Sequence, residues 1–192
     1  KSMSYWVFTD IFEESAPRFT PFHGGFGMLN TQGINKPVFY AYQFLNRLGK
    51  TELVNNDTKS WACKDENGNV QILAWDFTYT LPDDSINNQQ YYIQDLPSKS
   101  KGNLKINIAD LPEGNYALEI YKTGYRCNDA YTTYYDLGRP DQLTKQQVEQ
   151  IKKMNNGSPV SSEIVNVKSG KAFTKDLDLR ENDVYLVNMV KL

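Results

Sequence analysis

The sequence has very few residues of the kinds that bind transition metals or form disulfides. It contains a single histidine, His23, and only two cysteines, Cys63 and Cys127. Zinc sites need cysteines and histidines at short spacings, and disulfide-built folds need several cysteine pairs. We therefore expect no metal site and no other cofactor. We expect both cysteines to be free thiols, with a single disulfide between them as the alternative.

An excess of positive charge and long apolar runs are also missing. The formal net charge is −2 at pH 7, without the basic patch that binding to nucleic acid requires. No apolar run approaches the roughly 20 residues of a membrane-spanning helix. The chain begins Lys1-Ser2-Met3, without a visible signal peptide. We expect neither nucleic acid nor a membrane as a partner, and we expect a processed chain or a fragment of a longer protein.

Aromatic residues are abundant instead. They make up 13% of the chain, with 13 tyrosines, and their flat apolar faces with polar tips suit both sheet packing and sugar binding. Residues 4–14, SYWVFTDIFEE, predict a buried strand that ends in acidic residues. After a loop rich in proline and glycine, residues 33–49 predict a helix with Pro37 in its first turn and Gly49 past its end. The predicted apolar face of this helix comprises Val38, Ala41, Tyr42, Leu45 and Leu48.

The remainder of the chain, from about residue 52, predicts many short strands. Asn67-Gly68 between two β-rich runs is a strong hairpin signal. The loop at about 81–102 is long and polar, which predicts a surface loop. The predicted strands cover residues 61–64, 70–80, 104–108, 163–168 and 183–192, and residues 111–124 predict a turn with Pro112 and Gly114 followed by a strand.

One helix is predicted within this β region, at residues 143–157. Thr144 is its expected N-cap, and Gln147 three residues later completes a capping box. Val148, Ile151 and Met154 share its apolar side. The predicted fold is mainly β: a β-sandwich at 51–192 with one inserted helix, preceded at 1–50 by a single β-loop-α unit.

The first 24 residues concentrate side chains that suit a sugar-binding cleft. An aromatic face stacks on a pyranose ring, and carboxylates accept hydrogen bonds from its hydroxyl groups. Glycines let the backbone approach a ligand closely. Each residue also has a structural explanation when taken alone, such as a turn capped by Asp10. The predicted substrate-binding residues are Trp6, Asp10, Glu13, Glu14, His23 and Gly24.

Several runs of the sequence resemble glycoside hydrolase family 39, the β-xylosidases. Residues 4–14 and 21–49 resemble the last strand, loop and helix of the (β/α)8 catalytic barrel of that family. The later part resembles its C-terminal accessory β-sandwich. The resemblance covers most of the chain and is weakest at about 81–102. In the later part it is carried by GNYALEIYKTGYRCNDAYTTYYDLGRP, LTKQQVEQIKKMNNGSP and LRENDVYLVNMVKL.

The resemblance implies a retaining glycosidase that releases xylose from xylo-oligosaccharides. Such enzymes use two carboxyl groups about 5 Å apart, one as acid/base and one as nucleophile. In the family these groups come from earlier barrel strands, and this chain contains no Asn-Glu-Pro. Because Glu13 and Glu14 are chain neighbours that point in different directions, they are not a catalytic pair. We therefore predict no catalytic residue in this chain and no hydrolytic activity of the chain alone.

Two other interpretations remain open. The sandwich could be a non-catalytic carbohydrate-binding module, provided that Tyr125, Tyr131, Tyr134 and Tyr135 point outward in a coplanar row; inward-pointing rings would favour packing. Alternatively, the chain is a structural domain that braces a catalytic barrel. The expected partners are a xylo-oligosaccharide or other glycoside, the remainder of the barrel, and a second copy of the chain. An exposed apolar patch is expected at residues 5–8 and 38–48.

Overall fold

The computed structural model describes residues 4–11, 20–79 and 94–192. Within these residues the chain is mostly β, with three α-helices. The predicted fold class is confirmed, while the predicted boundary at residue 50 stays a prediction. In chain order the elements are α1 (Pro37–Asn46), β1 (Thr51–Glu52), β2 (Ser60–Lys64), β3 (Val70–Trp75), β4 (Ser100–Ile108), β5 (Gly114–Thr123), α2 (Ala130–Asp136), α3 (Lys145–Met154), β6 (Ser161–Val167), β7 (Phe173–Arg180) and β8 (Val184–Lys191).

The strands form two antiparallel sheets. The larger has six strands in the order β1-β2-β3-β8-β5-β6, and the smaller pairs β4 with β7. Alternate apolar side chains of both sheets meet in one core, because successive residues of a strand point to opposite faces. Leu118, Val187 and Met189 are completely buried in this core.

The central strands of the six-stranded sheet are buried on both faces. The outer face of β3 and β8, at Leu73 and Leu186, packs against Tyr40 and Phe44 of α1. The hydroxyl of Tyr40 also donates a hydrogen bond to the carbonyl of Asn155, just after α3. The unit at the start of the chain is therefore packed onto the sandwich.

A second cluster of buried apolar side chains connects the loop before α1 with helices α2 and α3. Phe22 and Ile34, which flank the glycine-rich loop, pack against Tyr134 of α2 and Ile151 of α3. Ile34 and Ile151 are almost completely buried. The loop that carries the candidate site is thus packed against the two helices of the sandwich.

Most predicted elements are present, and several have the predicted local chemistry. β2 and β3 form the hairpin around Asn67-Gly68, where Gly68 has a φ of 80°. Helix α3 has the predicted capping box: the Thr144 side chain accepts from the Gln147 N–H, and the Gln147 side chain accepts from the Thr144 N–H. Val148 and Ile151 are buried as expected, but Met154 is 63% exposed, so its placement in the apolar side was wrong.

Four expectations about elements need correction. β1, β7 and α2 were not predicted, and the sandwich contains two helices rather than one. The strand predicted at residues 70–80 ends at Trp75. Tyr5 to Phe8 do not form a strand buried on both faces, because Tyr5, Trp6 and Phe8 are exposed and the isolated bridge next to them joins Thr9 to Leu29. The predicted loop at 81–102 lies mostly outside the described residues, and residues 100–102 begin β4.

Helix α1 occupies the predicted position but buries a different face. Pro37 begins it as expected, and Tyr40 and Phe44 are its buried residues. Val38, Ala41 and Tyr42 from the predicted face are only half-buried. The helix is apolar around most of its circumference, so periodicity alone could not select the face that the sheet covers.

The two cysteines of the chain do not pair with each other. Cys63 is buried, Cys127 is half-buried, and both are free thiols as predicted. Burial raises the pKa of each thiol above its ordinary value. Among the described residues, none of the helices has the length and apolarity to cross a membrane.

Candidate active-site loop and cavity

The extended segment at residues 7–10 is fixed to the glycine-rich loop by backbone hydrogen bonds. Thr9 and Leu29 form a parallel bridge. The Leu29 N–H donates to the Phe8 carbonyl at 3.1 Å, and the Asp10 N–H donates to the Leu29 carbonyl at 3.0 Å. Residues at the end of this segment therefore lie directly beside the loop, as the predicted site requires.

Asp10 is completely buried at the base of this loop. Its Oδ1 accepts from the Gly27 N–H at 2.7 Å, and its carboxylate pairs with the Lys36 ammonium at 2.6 Å. Lys36 also donates to the Gly25 carbonyl at 2.9 Å. One carboxylate thus connects the extended segment, the glycine loop and the residue that precedes α1. This geometry favours the structural alternative for Asp10, a carboxylate that holds the loop, over direct contact with a sugar.

At position 27, the last residue of PFHGGFG, the structure requires glycine. A Cβ atom at this position would lie 2.4 Å from the Asp10 nitrogen and 2.6 Å from the Leu29 carbonyl oxygen. Both contacts are with backbone, so no rotamer change could relieve them. Only glycine allows the loop to approach the extended segment this closely.

Trp6 lies at the surface beside this anchored base. Its side chain is 71% exposed, and Phe8, Ile11 and Phe26 are exposed to a similar degree. We call Trp6, Phe8, Ile11 and Phe26 the N-terminal apolar patch. The expected exposure of residues 5–8 is confirmed for Tyr5, Trp6 and Phe8, whereas the α1 part of the expected patch is largely half-buried. Exposed tryptophan side chains are of the kind that stack on sugar rings.

The other predicted site residues separate into two groups. Glu13 and Glu14 lie outside the described residues. His23 is half-buried, while Gly24 is exposed with a φ of 80°. Gly24, but not His23 or Trp6, is among the described residues that line a cavity of about 220 Å³ at the junction between the loop and helix α2. The roles of all these residues in binding substrate stay predictions.

Two residues of this cavity, Asp129 and Tyr131, come from the sandwich. Asp129 was not predicted as a site residue, and Tyr131 was considered only for a sugar platform on the sandwich. Asp129 is the N-cap of α2, and its side chain accepts from the Thr132 N–H. Burial raises the pKa of Asp129 above its ordinary value, because it disfavours the charged carboxylate. Asp129 lies in the TGYRCNDAYT run, and an aspartate before an aromatic helical stretch was the available signal. Its distance from Gly24 along the chain concealed the shared cavity.

The cavity combines an aromatic ring, a carboxyl group and closely approaching glycine backbone. Tyr131 and Phe22 provide apolar walls, and Asp129 and the backbone of Gly24 and Gly25 provide polar groups. Such a mixture suits a small ligand with both apolar faces and hydroxyl groups. No group of three or more metal-binding side chains occurs in the part of the chain that the structure describes.

The four tyrosines considered for a sugar platform do not form a flat row. They are Tyr125 and, in helix α2, Tyr131, Tyr134 and Tyr135. Tyr134 is buried, and its ring is tilted by 49° from that of Tyr131. The rings of Tyr131 and Tyr135 are tilted by 47°. Tyr125 hydrogen-bonds to Asp95 at 3.0 Å. This arrangement favours packing over a sugar platform at these four positions.

Comparison with known proteins identifies the same family in sequence and in structure. A family model described as glycosyl hydrolases family 39 matches residues 1–170. A β-xylosidase from Geobacillus stearothermophilus is 29% identical over 150 residues, which are 78% of this chain and 26% of that protein.

Solved structures superpose over the whole chain. The GH39 enzyme from Xanthomonas axonopodis pv. citri matches with a TM-score of 0.88 and 35% identity, over 99% of this chain and 37% of that one. A monomeric β-xylosidase from Caulobacter crescentus CB15 matches with a TM-score of 0.88 and 36% identity, over 100% of this chain and 38% of that one. The chain therefore spans well under half the length of these relatives. The family model, which matches most of the sequence, shows that the chain belongs to glycosyl hydrolase family 39.

Proposed function

We propose that this chain contributes one wall of the active site of a retaining β-xylosidase that releases xylose from xylo-oligosaccharides. The observation that carries the proposal is the anchored loop of a family 39 member, with the exposed Trp6 beside the buried Asp10–Lys36 pair. Relatives that match the chain are named β-xylosidases. In this proposal Trp6 stacks on the sugar, and Glu13 or Glu14 accepts hydrogen bonds from its hydroxyl groups.

His23 and Gly24 belong to the same proposed subsite, and Asp10 positions it. Because Asp10 has no exposed surface, its role is to hold Gly27 and Lys36 rather than to touch substrate. The acid/base and the nucleophile of a retaining mechanism would come from the remainder of the barrel. The chain alone is therefore expected to be inactive.

A test of inactivity uses the pure 192-residue chain with an aryl xyloside. We expect no release of nitrophenol above the rate of a buffer blank. Measurable release that copurifies with the chain through two columns would contradict the proposal. The intact mass of the native protein, compared with its reading frame, tells whether a longer protein exists in which to test Trp6.

In such a longer protein, Trp6→Ala should raise KM for xylo-oligosaccharides by about tenfold, as the loss of an aromatic stacking contact predicts. Phe26→Ala is a matched control, since Phe26 is exposed to a similar degree in the same patch. Equal effects of the two substitutions would argue against a specific platform at Trp6.

A further inference from the structure

A second surface cleft lies on the sandwich, where the loop between β1 and β2 meets the edge of the six-stranded sheet. It has a volume of about 590 Å³ and is lined by two tryptophans, Trp61 and Trp75, and by polar residues of the loop. None of its lining residues belongs to the cavity at Gly24. The cleft and the cavity at Gly24 are therefore two separate cavities of the described residues.

The sheet register places the two tryptophans side by side on one face. Trp61 pairs with Leu73, so its side chain shares a face with Leu73 and with Trp75 two residues later. Helix α1 covers Leu73 on that face but leaves Trp61 48% exposed. The ring centroids of Trp61 and Trp75 are 5.6 Å apart with an angle of 73° between the planes. The rings thus form a corner, in which one ring offers its face and the other forms a side wall.

The loop around this corner presents oxygen and amide groups that are already held in position. The Asn55 side chain donates to the Ser60 carbonyl at 2.8 Å, and Asp57 Oδ2 accepts from the Ser60 hydroxyl at 2.7 Å. Glu52 adds an exposed carboxylate at the end of β1. A loop that is ordered before binding loses less conformational entropy when a ligand arrives.

The charge of the cleft indicates the class of its ligand. Its described lining contains the carboxylates of Glu52 and Asp57 but no lysine or arginine. The nearby Lys59 ammonium lies 3.8 Å from Asp76 instead. Such a lining disfavours phosphate or an acidic peptide, since both would meet uncompensated negative charge. Exposed indole faces beside acceptor groups suit the apolar face and the hydroxyl groups of a neutral pyranose.

We infer that this cleft is a binding site for a neutral oligosaccharide. One pyranose ring stacks on Trp61, and Trp75 limits it at the side. The carboxylates of Asp57 and Glu52 accept hydrogen bonds from its hydroxyl groups, and the Asn55 amide donates to them or accepts from them. The angle between the rings restricts stacking to one or two sugar units. The choice of a xylose polymer as probe rests on the proposed function, while the site itself does not.

Binding of xylohexaose and cellohexaose to the 192-residue chain tests this inference by calorimetry and tryptophan fluorescence. We expect binding of at least one of the two, weakened about tenfold or more in Trp61→Ala and less in Trp61→Phe. Tyr79→Ala is the matched control, because it removes an exposed aromatic ring that does not line the cleft. It should change the affinity by no more than about twofold.

Circular dichroism and thermal melts of Trp61→Ala establish that a loss of binding is not a loss of fold. Three results would overturn the inference: no binding of the parent chain to either sugar up to about 10 mM, equal binding by Trp61→Ala and the parent, or loss of binding in Trp6→Ala alone. The last result would mean that the sugar binds at the N-terminal apolar patch and not at the cleft. Hydrolysis is measured separately, so failure here leaves the proposed function standing.

Discussion

At the scale of single residues, two lysine–carboxylate pairs show how strongly burial decides the value of an ion pair. Asp10 and Lys36 have side-chain exposures of 0% and 15%, whereas Glu66 and Lys50 are 82% and 88% exposed. Removal of one partner leaves an uncompensated charge in the first pair but a hydrated one in the second. The buried pair also holds the loop of the candidate site, so its loss would affect both stability and function.

Asp10→Asn should therefore lower the free energy of unfolding by about 3 kcal/mol, the cost of breaking a buried pair. Urea denaturation followed by circular dichroism measures this change. Glu66→Gln is the control and should cost less than about 1 kcal/mol. A stable Asp10→Asn variant with the same midpoint as Glu66→Gln would mean that Asp10 does not hold the loop, and contact with substrate would become the better explanation.

Asp95 provides a pH-dependent contribution to stability. The Arg126 guanidinium, 2.8 Å away, and the Tyr125 hydroxyl, 3.0 Å away, lower the pKa of Asp95, although its partial burial acts in the opposite direction. A carboxyl whose pKa is lower in the folded state stabilises the protein above its unfolded pKa of about 3.9. That contribution disappears as the pH falls through the lower folded pKa.

We expect Asp95→Asn to lower the melting temperature at pH 6 and to match the parent at a pH well below about 3.9. Melting curves at several pH values give this difference directly. Glu113→Gln, at an exposed position, serves as the control. A difference between Asp95→Asn and the parent that stayed constant across this range would contradict the assigned cause.

At the scale of elements, helix α1 illustrates what the sequence can and cannot predict. Pro37 and the apolar spacing located the helix within a few residues, because these signals are local. The buried face depends on which side the six-stranded sheet approaches, and that contact joins residues far apart in the chain. Tyr40 and Phe44 were overlooked for this reason, although both are aromatic and four residues apart.

Phe44→Ala should destabilise the whole protein by about 3–5 kcal/mol, since it opens a cavity between α1 and the sheet. Val38→Ala, on the predicted face, should cost about 1 kcal/mol or less because Val38 is only half-buried. Urea denaturation monitored by fluorescence and by circular dichroism compares the two variants. A larger loss of stability in Val38→Ala than in Phe44→Ala would mean that the buried face of α1 is the one predicted from the sequence pattern.

Two of the missed elements, β7 and α2, differ in whether the sequence carried a local signal for them. In β7, Phe173, Leu177 and Leu179 lie on the side facing the core and alternate with aspartates, so a period of two was present and could have been found. Helix α2 is short, and its tyrosines and threonines favour strands by propensity. Its N-cap Asp129 and its packing against α3 outweigh that preference.

At the scale of the whole molecule, the sequence predicted the fold class and the loop of the candidate site but not its surroundings. The run of glycines and aromatic residues pointed to residues 4–27 directly. The wall formed by Asp129 and Tyr131 depends on the docking of the sandwich beside Gly24. The corner at Trp61 and Trp75 depends on strand register, which single residues do not reveal.

The order of strands in the large sheet has a consequence for synthesis of the chain on the ribosome. β8 lies between β3 and β5, yet it follows both in the sequence, and Ile72 pairs with Val187 across most of the chain. Until β8 leaves the exit tunnel, the halves β1-β2-β3 and β5-β6 share no neighbouring strand in this sheet. Each half would then present an unpaired edge, a state in which chaperone capture competes with aggregation. Closure by the late central strand makes the emergence of β8 the event that commits this sandwich to its native state.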